Sequence, residues 1–303
     1  MQIAMIGLGR MGMNMAKRLL RGGNKVLVYN RTSEKTDQLV KDGAIGVYSL
    51  ADLVEKLLAP RVVWMMLPAG PVVDEYISEL KGLLFPDDIV IDGGNTYYKD
   101  DIRRAHSLAE NDIRFMDVGV SGGIWGLEAG YCLMAGGSNE TYEYIEPILK
   151  DLAPKDGYLY CGATGAGHFV KMVHNGIEYG MMQAYGEGFE ILEASPYAES
   201  FNYAEISQLW NQGSVVRSWL LELAVYAFIK DEKLSDIRGV IEDSGEGRWT
   251  VQQAIDSGVS APVITLSLMR RFRSKKQDPF SDRLVAALRR EFGGHVVARA
   301  DKK

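Results

Sequence analysis

Apolar residues come in short bursts through the first half of the chain, at Gln2 to Ile6, Lys25 to Tyr29, Arg61 to Met66, Asp88 to Ile91 and Arg114 to Asp117. Each is the length of a buried strand. Between them lie Arg10 to Arg21, Ser33 to Asp42, Pro71 to Lys81 and Lys99 to Glu110, where apolar positions recur at helical spacing. Strands alternating with helices of crossover length predict βαβ units and an α/β, doubly wound, mostly parallel sheet of the Rossmann kind. After Cys161 the pattern changes. Gly162, Gly165 and Gly167 read as a loose hinge, and from Phe169 onward no convincing strand recurs. Pro196, Pro262 and Pro279, with Gly239, Gly258 and Gly293-Gly294, divide this half into helices, the longest running from about His168 to Ala194. The expected organisation is an α/β domain over residues 1–164 and an all-α domain over 165–303.

The composition is that of an ordinary globular protein: 303 residues, 47% hydrophobic, 24% charged and 10% aromatic. A net charge of −6 makes the whole chain a poor partner for nucleic acid or an anionic membrane. No uncharged apolar run reaches membrane-spanning length, and Ile3 to Ile6 with its glycine turn reads as a strand rather than a secretion signal. Cys132 and Cys161 stand in no metal-like spacing, so a reducing cytoplasm and no structural zinc are expected. One charge asymmetry stands out. From Thr265 to Lys303 eleven Lys and Arg face four Asp and Glu, a local +7 that leaves −13 for everything before it.

Gly7-Leu8-Gly9-Arg10-Met11-Gly12 sits between a predicted strand and a predicted helix. In that context the first glycine permits a tight turn, the second lets a pyrophosphate approach the backbone, and the third lets helix and strand pack closely. Residues 1–164 therefore read as a dinucleotide-binding domain. The end of the second strand reads Tyr29-Asn30-Arg31-Thr32. A carboxylate there would bind the ribose 2′-hydroxyl of NAD, whereas Arg31 and Thr32 offer a 2′-phosphate a bidentate cation and a hydroxyl. NADP is expected, with NAD as the alternative.

In the long helix, Lys171, His174, Asn175, Glu178 and Tyr179 fall at i, i+3, i+4, i+7 and i+8 and span an arc of roughly 140°. Phe169, Val173, Ile177, Gly180 and Ala184 take the other side. A solvated polar face on an ordinary amphipathic helix is one reading. The other is catalysis, because these residue types are the ones proton transfer uses. A lysine in a partly buried, cofactor-covered cleft can act as a base near neutral pH, and a glutamate two turns on could supply a proton to a second step.

These stretches resemble a known family. The opening glycine run is similar to that of the β-hydroxyacid dehydrogenases. Asp92-Gly93-Gly94-Asn95 and Lys171-Met172-Val173-His174-Asn175-Gly176-Ile177-Glu178-Tyr179 resemble the decarboxylating 6-phosphogluconate dehydrogenases, specifically their short-chain branch. Val120-Ser121-Gly122-Gly123, Gly245-Glu246-Gly247-Arg248-Trp249-Thr250 and Phe292-Gly293-Gly294-His295 extend the likeness over nearly the whole chain.

The resemblance implies oxidation of 6-phosphogluconate at C3 and loss of CO₂ to give ribulose 5-phosphate. It implies Lys171 as the base that then acts as acid, and Glu178 as the acid that protonates C1 of the enediol. Asn95, Ser121, Gly122, Gly123, His174 and Asn175 would hold the sugar acid. Tyr179, Arg271, Arg289 and His295 would meet the phosphate end, the last two from a neighbouring subunit of a homodimer or homotetramer. Around the cofactor it implies Gly7 to Gly12, Asn30, Arg31, Thr32, Leu67, Pro68, Ala69 and Asn95. Two departures stand out: Ser244 occupies the position of a phosphate-binding lysine in the long-chain enzymes, and the second helical repeat of that form is missing.

The nearest rival is a related dehydrogenase acting on an unphosphorylated acid such as 3-hydroxyisobutyrate or tartronate semialdehyde, which would have no use for Arg271 and Arg289. A nucleotide-binding sensor would have no reason to align Lys171 with Glu178. His106 reads as solvated, Trp64, Trp125, Trp210 and Trp219 as core or interface, and the 13 methionines as packing, so no metal requirement is expected.

Overall fold

A computed structural model describes residues 1–293 and 296, the side chains of 292 and 293 excepted. It divides into two compact units, Met1–Asn175 and Gly176–Lys303.

The first unit runs β1 (Gln2–Ile6), α1 (Arg10–Arg21), β2 (Lys25–Tyr29), α2 (Ser33–Lys41), β3 (Ile45–Gly46), α3 (Leu50–Lys56), β4 (Val62–Met65), α4 (Pro71–Leu83), β5 (Ile89–Asp92), α5 (Tyr98–Ala109) and β6 (Arg114–Ser121). It continues with α6 (Gly126–Ala129), β7 (Cys132–Gly137), α7 (Asn139–Leu152), β8 (Tyr158–Gly162) and the start of α8 (Ala166–Glu193). The eight strands form one sheet in the order β3-β2-β1-β4-β5-β6-β7-β8. Every pairing is parallel except β6 with β7. This is the expected doubly wound sheet, with an antiparallel step that lies beyond the last strand legible in the sequence.

Strands covered on both faces carry continuous apolar runs, and here alternate residues feed separate cores. Ile3, Met5, Val26, Val28, Val62 and Trp64 join Met15 and Leu19 of α1 and Ile145 and Leu149 of α7. Ala4, Ile6, Leu27, Val63 and Met65 join Leu53 of α3, Ile77 and Leu80 of α4 and Leu108 of α5. With helices fixed to both faces, only the strand ends and their loops remain open. The chain reverses its strand order between β1 and β4, the place where open parallel sheets bind ligands at their carboxyl ends.

The second unit contains the remainder of α8 with α9 (Tyr203–Trp210), α10 (Trp219–Lys230), α11 (Glu246–Asp256), α12 (Pro262–Ser274) and α13 (Phe280–Gly293). No strand occurs in it among the described residues.

Candidate active site

Three loops gather at the carboxyl ends of β1, β4 and β5. Gly7 N–H bonds to Tyr29 O at 3.0 Å, Met66 N–H to Ile6 O at 2.8 Å and Gly93 N–H to Met65 O at 2.9 Å. Two fingerprint glycines are required by the protein itself. Gly7 has φ +90 and a Cβ on it would lie 2.5 Å from Met66 O, while one on Gly12 would lie 2.0 Å from Gly7 O. Gly9 differs, because a Cβ there would meet nothing within 4 Å. Packing does not demand the second glycine, which leaves the backbone open at the start of α1, where a pyrophosphate binds in folds of this kind. The residues present therefore fit a dinucleotide.

Asn30 follows β2 and holds the glycine loop. Its Oδ1 accepts from Leu8 N–H at 2.9 Å, and its Nδ2 donates to Thr32 O and Oγ1 at 3.0 and 2.7 Å. Arg31 and Thr32 are exposed, as are Arg10, Pro68 and Ala69, while Met11 and Leu67 are half-buried.

Asn95 stands exposed at the tip of the turn after β5. Buried Asp92 shapes that turn by accepting from Gly94 N–H at 3.0 Å and from Thr96 Oγ1 at 2.8 Å. Both turn glycines are packing requirements, since a Cβ on Gly93 would lie 2.1 Å from Trp64 Nε1 and one on Gly94 2.6 Å from Leu67 O.

Lys171 lies against β6. A Cβ on Gly119 would sit 2.4 Å from Lys171 Cβ, so only glycine lets α8 come this close. Side chains two apart share a strand face, which places Asp117, Gly119 and Ser121 in one line along β6. Asp117 fixes the start of α8 by accepting from Gly165 N–H at 2.6 Å and His168 N–H at 2.8 Å. Gly119 backs Lys171, and Ser121, half-buried, comes next, followed by Gly122 and Gly123 with φ values of +133 and +56. Lys171 is 7% exposed, and its Nζ donates to Asn175 Oδ1 at 2.7 Å. His174 Nδ1 lies 2.9 Å from the same oxygen. Lys171, His174 and Asn175 are thus one hydrogen-bonded group.

Burial along α8 does not follow the usual amphipathic division. Lys171, Asn175 and Tyr179 are buried, whereas Ile177 on the apolar side is 52% exposed. The polar stripe is therefore not a solvated face. On the apolar side Gly180 is buried, Phe169 and Val173 are half-buried and Ile177 and Ala184 are exposed, while β6 covers Lys171 through Gly119.

In the second unit Tyr179 and Arg271 meet. The guanidinium carbon lies 3.3 Å from the ring centroid, and Nη1 donates to Glu242 O at 2.9 Å. The Tyr179 hydroxyl is buried without a hydrogen-bond partner. A cation stacked on a ring beside an unsatisfied hydroxyl is an incomplete polar site, which an anionic oxygen would complete. A Cβ on Gly247 would lie 2.4 Å from the Tyr179 ring, so the first turn of α11 is shaped to receive it. Ser244 is exposed, and Arg248 is committed to Asp243, with Nε to Oδ1 at 2.7 Å and Nη2 to Oδ2 at 3.1 Å. Glu178 is half-buried on α8 and Arg289 is exposed on α13. His295 lies outside the described residues.

His168 and Asp101 escaped the sequence reading. They are fully buried, 67 positions apart, and joined Nδ1 to Oδ2 at 2.7 Å. Burial pushes Asp101 up, against the pull of His168. Burial acts to lower His168, and the Asp101 charge and hydrogen bond, with Asp92 and Asp117 behind them, reverse this and raise it. His106 is exposed, as the sequence implied.

Comparison with known proteins places these observations in a family. Residues 2–164 match the NAD binding domain of 6-phosphogluconate dehydrogenase, and residues 167–283 match the C-terminal domain of 6-phosphogluconate dehydrogenase. A Bacillus subtilis (strain 168) protein named "Putative 6-phosphogluconate dehydrogenase YqeC" is 46% identical over 299 residues, covering 99% of this chain and 100% of its own. The NAD(+)-dependent, decarboxylating 6-phosphogluconate dehydrogenase of Haloferax volcanii is 41% identical over 303 residues, covering 99% and 100%. Among solved structures, Plasmodium falciparum 6-phosphogluconate dehydrogenase, described with NADP+ and with 6-phosphogluconate, superposes with a TM-score of 0.83 at 31% identity, covering 100% of this chain and 67% of that one. The chain belongs to the 6-phosphogluconate dehydrogenase family.

Proposed function

We propose that this protein oxidises and decarboxylates 6-phosphogluconate to ribulose 5-phosphate and CO₂, with NADP as the cofactor and NAD as the alternative. The observation that carries the reading is the buried Lys171–Asn175–His174 group pressed on β6 through Gly119. A lysine buried this way loses solvation as an ammonium, and Asn175 Oδ1 gives its Nζ one fixed direction.

Gly7 to Gly12, with Leu67, Pro68 and Ala69, would hold the dinucleotide, and Asn30, Arg31 and Thr32 its adenosine end. The bound nicotinamide supplies the hydride acceptor for C3. Lys171 takes the C3 hydroxyl proton, then returns it to the new carbonyl oxygen as the C1–C2 bond breaks and CO₂ leaves. Glu178, two turns on, protonates the carbon that becomes C1 of the pentose. Seven residues turn a helix to within about 20° of the starting direction, which puts both groups on one stripe.

Asn95, Ser121, Gly122, Gly123, His174 and Asn175 would orient the sugar acid. Tyr179 and Arg271 would take the phosphate, with Arg289 and His295 supplied by a neighbouring copy. The exposed apolar side chains Val263, Leu266 and Met269 on α12 support a homodimer or homotetramer. Free Cys132 and Cys161 agree with a cytoplasmic location.

The deciding experiment follows NADP reduction with 6-phosphogluconate and measures released CO₂ in the same reaction. Equal amounts of both products are expected. Reduction without CO₂, or turnover of 3-hydroxyisobutyrate in preference, would refute the proposal.

A further inference from the structure

The buried face of α5 carries two charges that the mechanism leaves unused. Arg104 is 1% exposed and ties three segments together: its Nε meets Asp74 Oδ1 at 2.8 Å, its Nη1 meets Asp92 Oδ2 at 3.4 Å, and its Nη2 donates to Gly70 O at 3.2 Å. One turn earlier Asp101 takes His168 of α8. Asp101, Asp117 and His168 lie close enough together to suggest a metal site. Most of their atoms are committed to the protein itself, and Asp101 Oδ1 and His168 Nε2 are buried without a partner. Both Asp117 oxygens accept N–H groups at the start of α8, and Asp101 Oδ2 holds His168 Nδ1.

Two constraints on one helix do different things. The Asp117 bonds reach backbone N–H groups and set how far along its axis α8 begins. The Asp101 bond reaches a side chain and sets how α8 is turned about that axis. Lys171 follows His168 by three residues, close to one turn, so its direction follows from that rotation. Burying an ion pair gains little net stability, whereas a fixed geometry is something such a pair can supply.

We propose that Asp101 is a positioning residue for the reaction: through His168 it sets the rotation of α8 and thereby the direction in which Lys171 presents its amine. The proposal rests on the reading of Lys171 as the base.

Asp101→Asn keeps an oxygen within reach of Nδ1, and Asp101→Leu removes it. In Asp101→Leu, kcat with 6-phosphogluconate should fall by tenfold or more, as misplacement of a reacting group by about 1 Å can cost ~100-fold. NADP affinity should stay within twofold, and amide hydrogen exchange over residues 166–175 should accelerate. Asp101→Asn should restore kcat to within about threefold of the parent and leave exchange unchanged. Should Asp101→Leu not fold, Asp101→Ser, whose oxygen is too short to reach, is read in the same way. Equal losses in the Asn and Leu variants, or a kcat indifferent to Leu, would overturn the proposal. So would unchanged exchange. An unmodified protein inactive on 6-phosphogluconate would instead sink the functional reading, and the exchange comparison would still decide whether Asp101 holds α8.

Discussion

Gly119→Ala tests the contact on which the active-site reading stands. The added methyl would lie 2.4 Å from Lys171 Cβ, 2.9 Å from its Cγ and 3.1 Å from Gly167 O. Carbon atoms rest at about 3.5–4.0 Å, so a gap of at least ~1 Å must open between β6 and α8. Rotamer changes cannot supply it, because Cβ moves only with the backbone. The start of α8 is held by Asp117 and by the Asp101–His168 pair, so relief means lifting the helix against them. Overpacking of this kind costs about 1–3 kcal/mol. For a unit of this size each kcal/mol lowers Tm by roughly 2–4 °C. The larger effect should be on rate, since displacing a catalytic group by about 1 Å costs on the order of 100-fold. The assay is reduction of NADP with 6-phosphogluconate at a temperature where the variant is folded, alongside dinucleotide affinity, which should stay within twofold. Gly82→Ala serves as control, for a Cβ there meets nothing within 4 Å. A kcat for Gly119→Ala within threefold of the parent would refute the argument that β6 places the base.

Gly9→Ala should leave Tm unchanged while weakening dinucleotide binding by tenfold or more; unaltered binding would mean that the open space over Gly9 is not the pyrophosphate site. Asn30→Asp retains the oxygen that accepts Leu8 N–H and adds a charge, so the NADP-to-NAD ratio of kcat/KM should move toward NAD by at least tenfold, and a constant ratio would contradict the assignment. Glu178→Gln should slow ketopentose formation by tenfold or more with dinucleotide affinity intact; parallel loss of both would indicate structural damage. Stability should also depend on pH. His168 is raised from 6.5 to about 9 in surroundings that include Asp101, Asp92, Asp117 and Arg104, so the folded protein holds a proton that the unfolded chain has released. That contribution is whole below about pH 6.5 and disappears as pH rises through about 9. Tm should decline across that window, and Asp101→Asn should flatten the decline.

The nucleotide-binding half was legible because its strands are unbroken apolar runs bounded by turns: β1 and β2 occupy the very residues the pattern predicts. β3 escaped because two residues carry no periodicity, and β7 because Ala135-Gly136-Gly137 reads as a turn. Those glycines belong to a strand for a reason visible only in three dimensions. A Cβ on Gly136 would lie 2.6 Å from Gly167 N, where α8 crosses the sheet.

The site divides along the same line. Residue type and spacing put Lys171, His174, Asn175, Glu178 and Tyr179 on one stripe, but periodicity has no sign and cannot say which side of a helix is covered. At Lys171 that sign comes from β6, whose Val118-Gly119-Val120 offers a clue, a glycine inside an apolar strand. Asp101 and His168 left none, since an acid on a polar crossover helix looks solvated until its partner, 67 residues on, is folded against it. Sequence thus carries the composition of the candidate site, because the proposed reacting groups lie on one helix. It carries the orientation poorly, because the groups that hold that helix are glycines and buried charges on other strands and helices. Variants of the second set should therefore change kcat without removing any group that touches substrate.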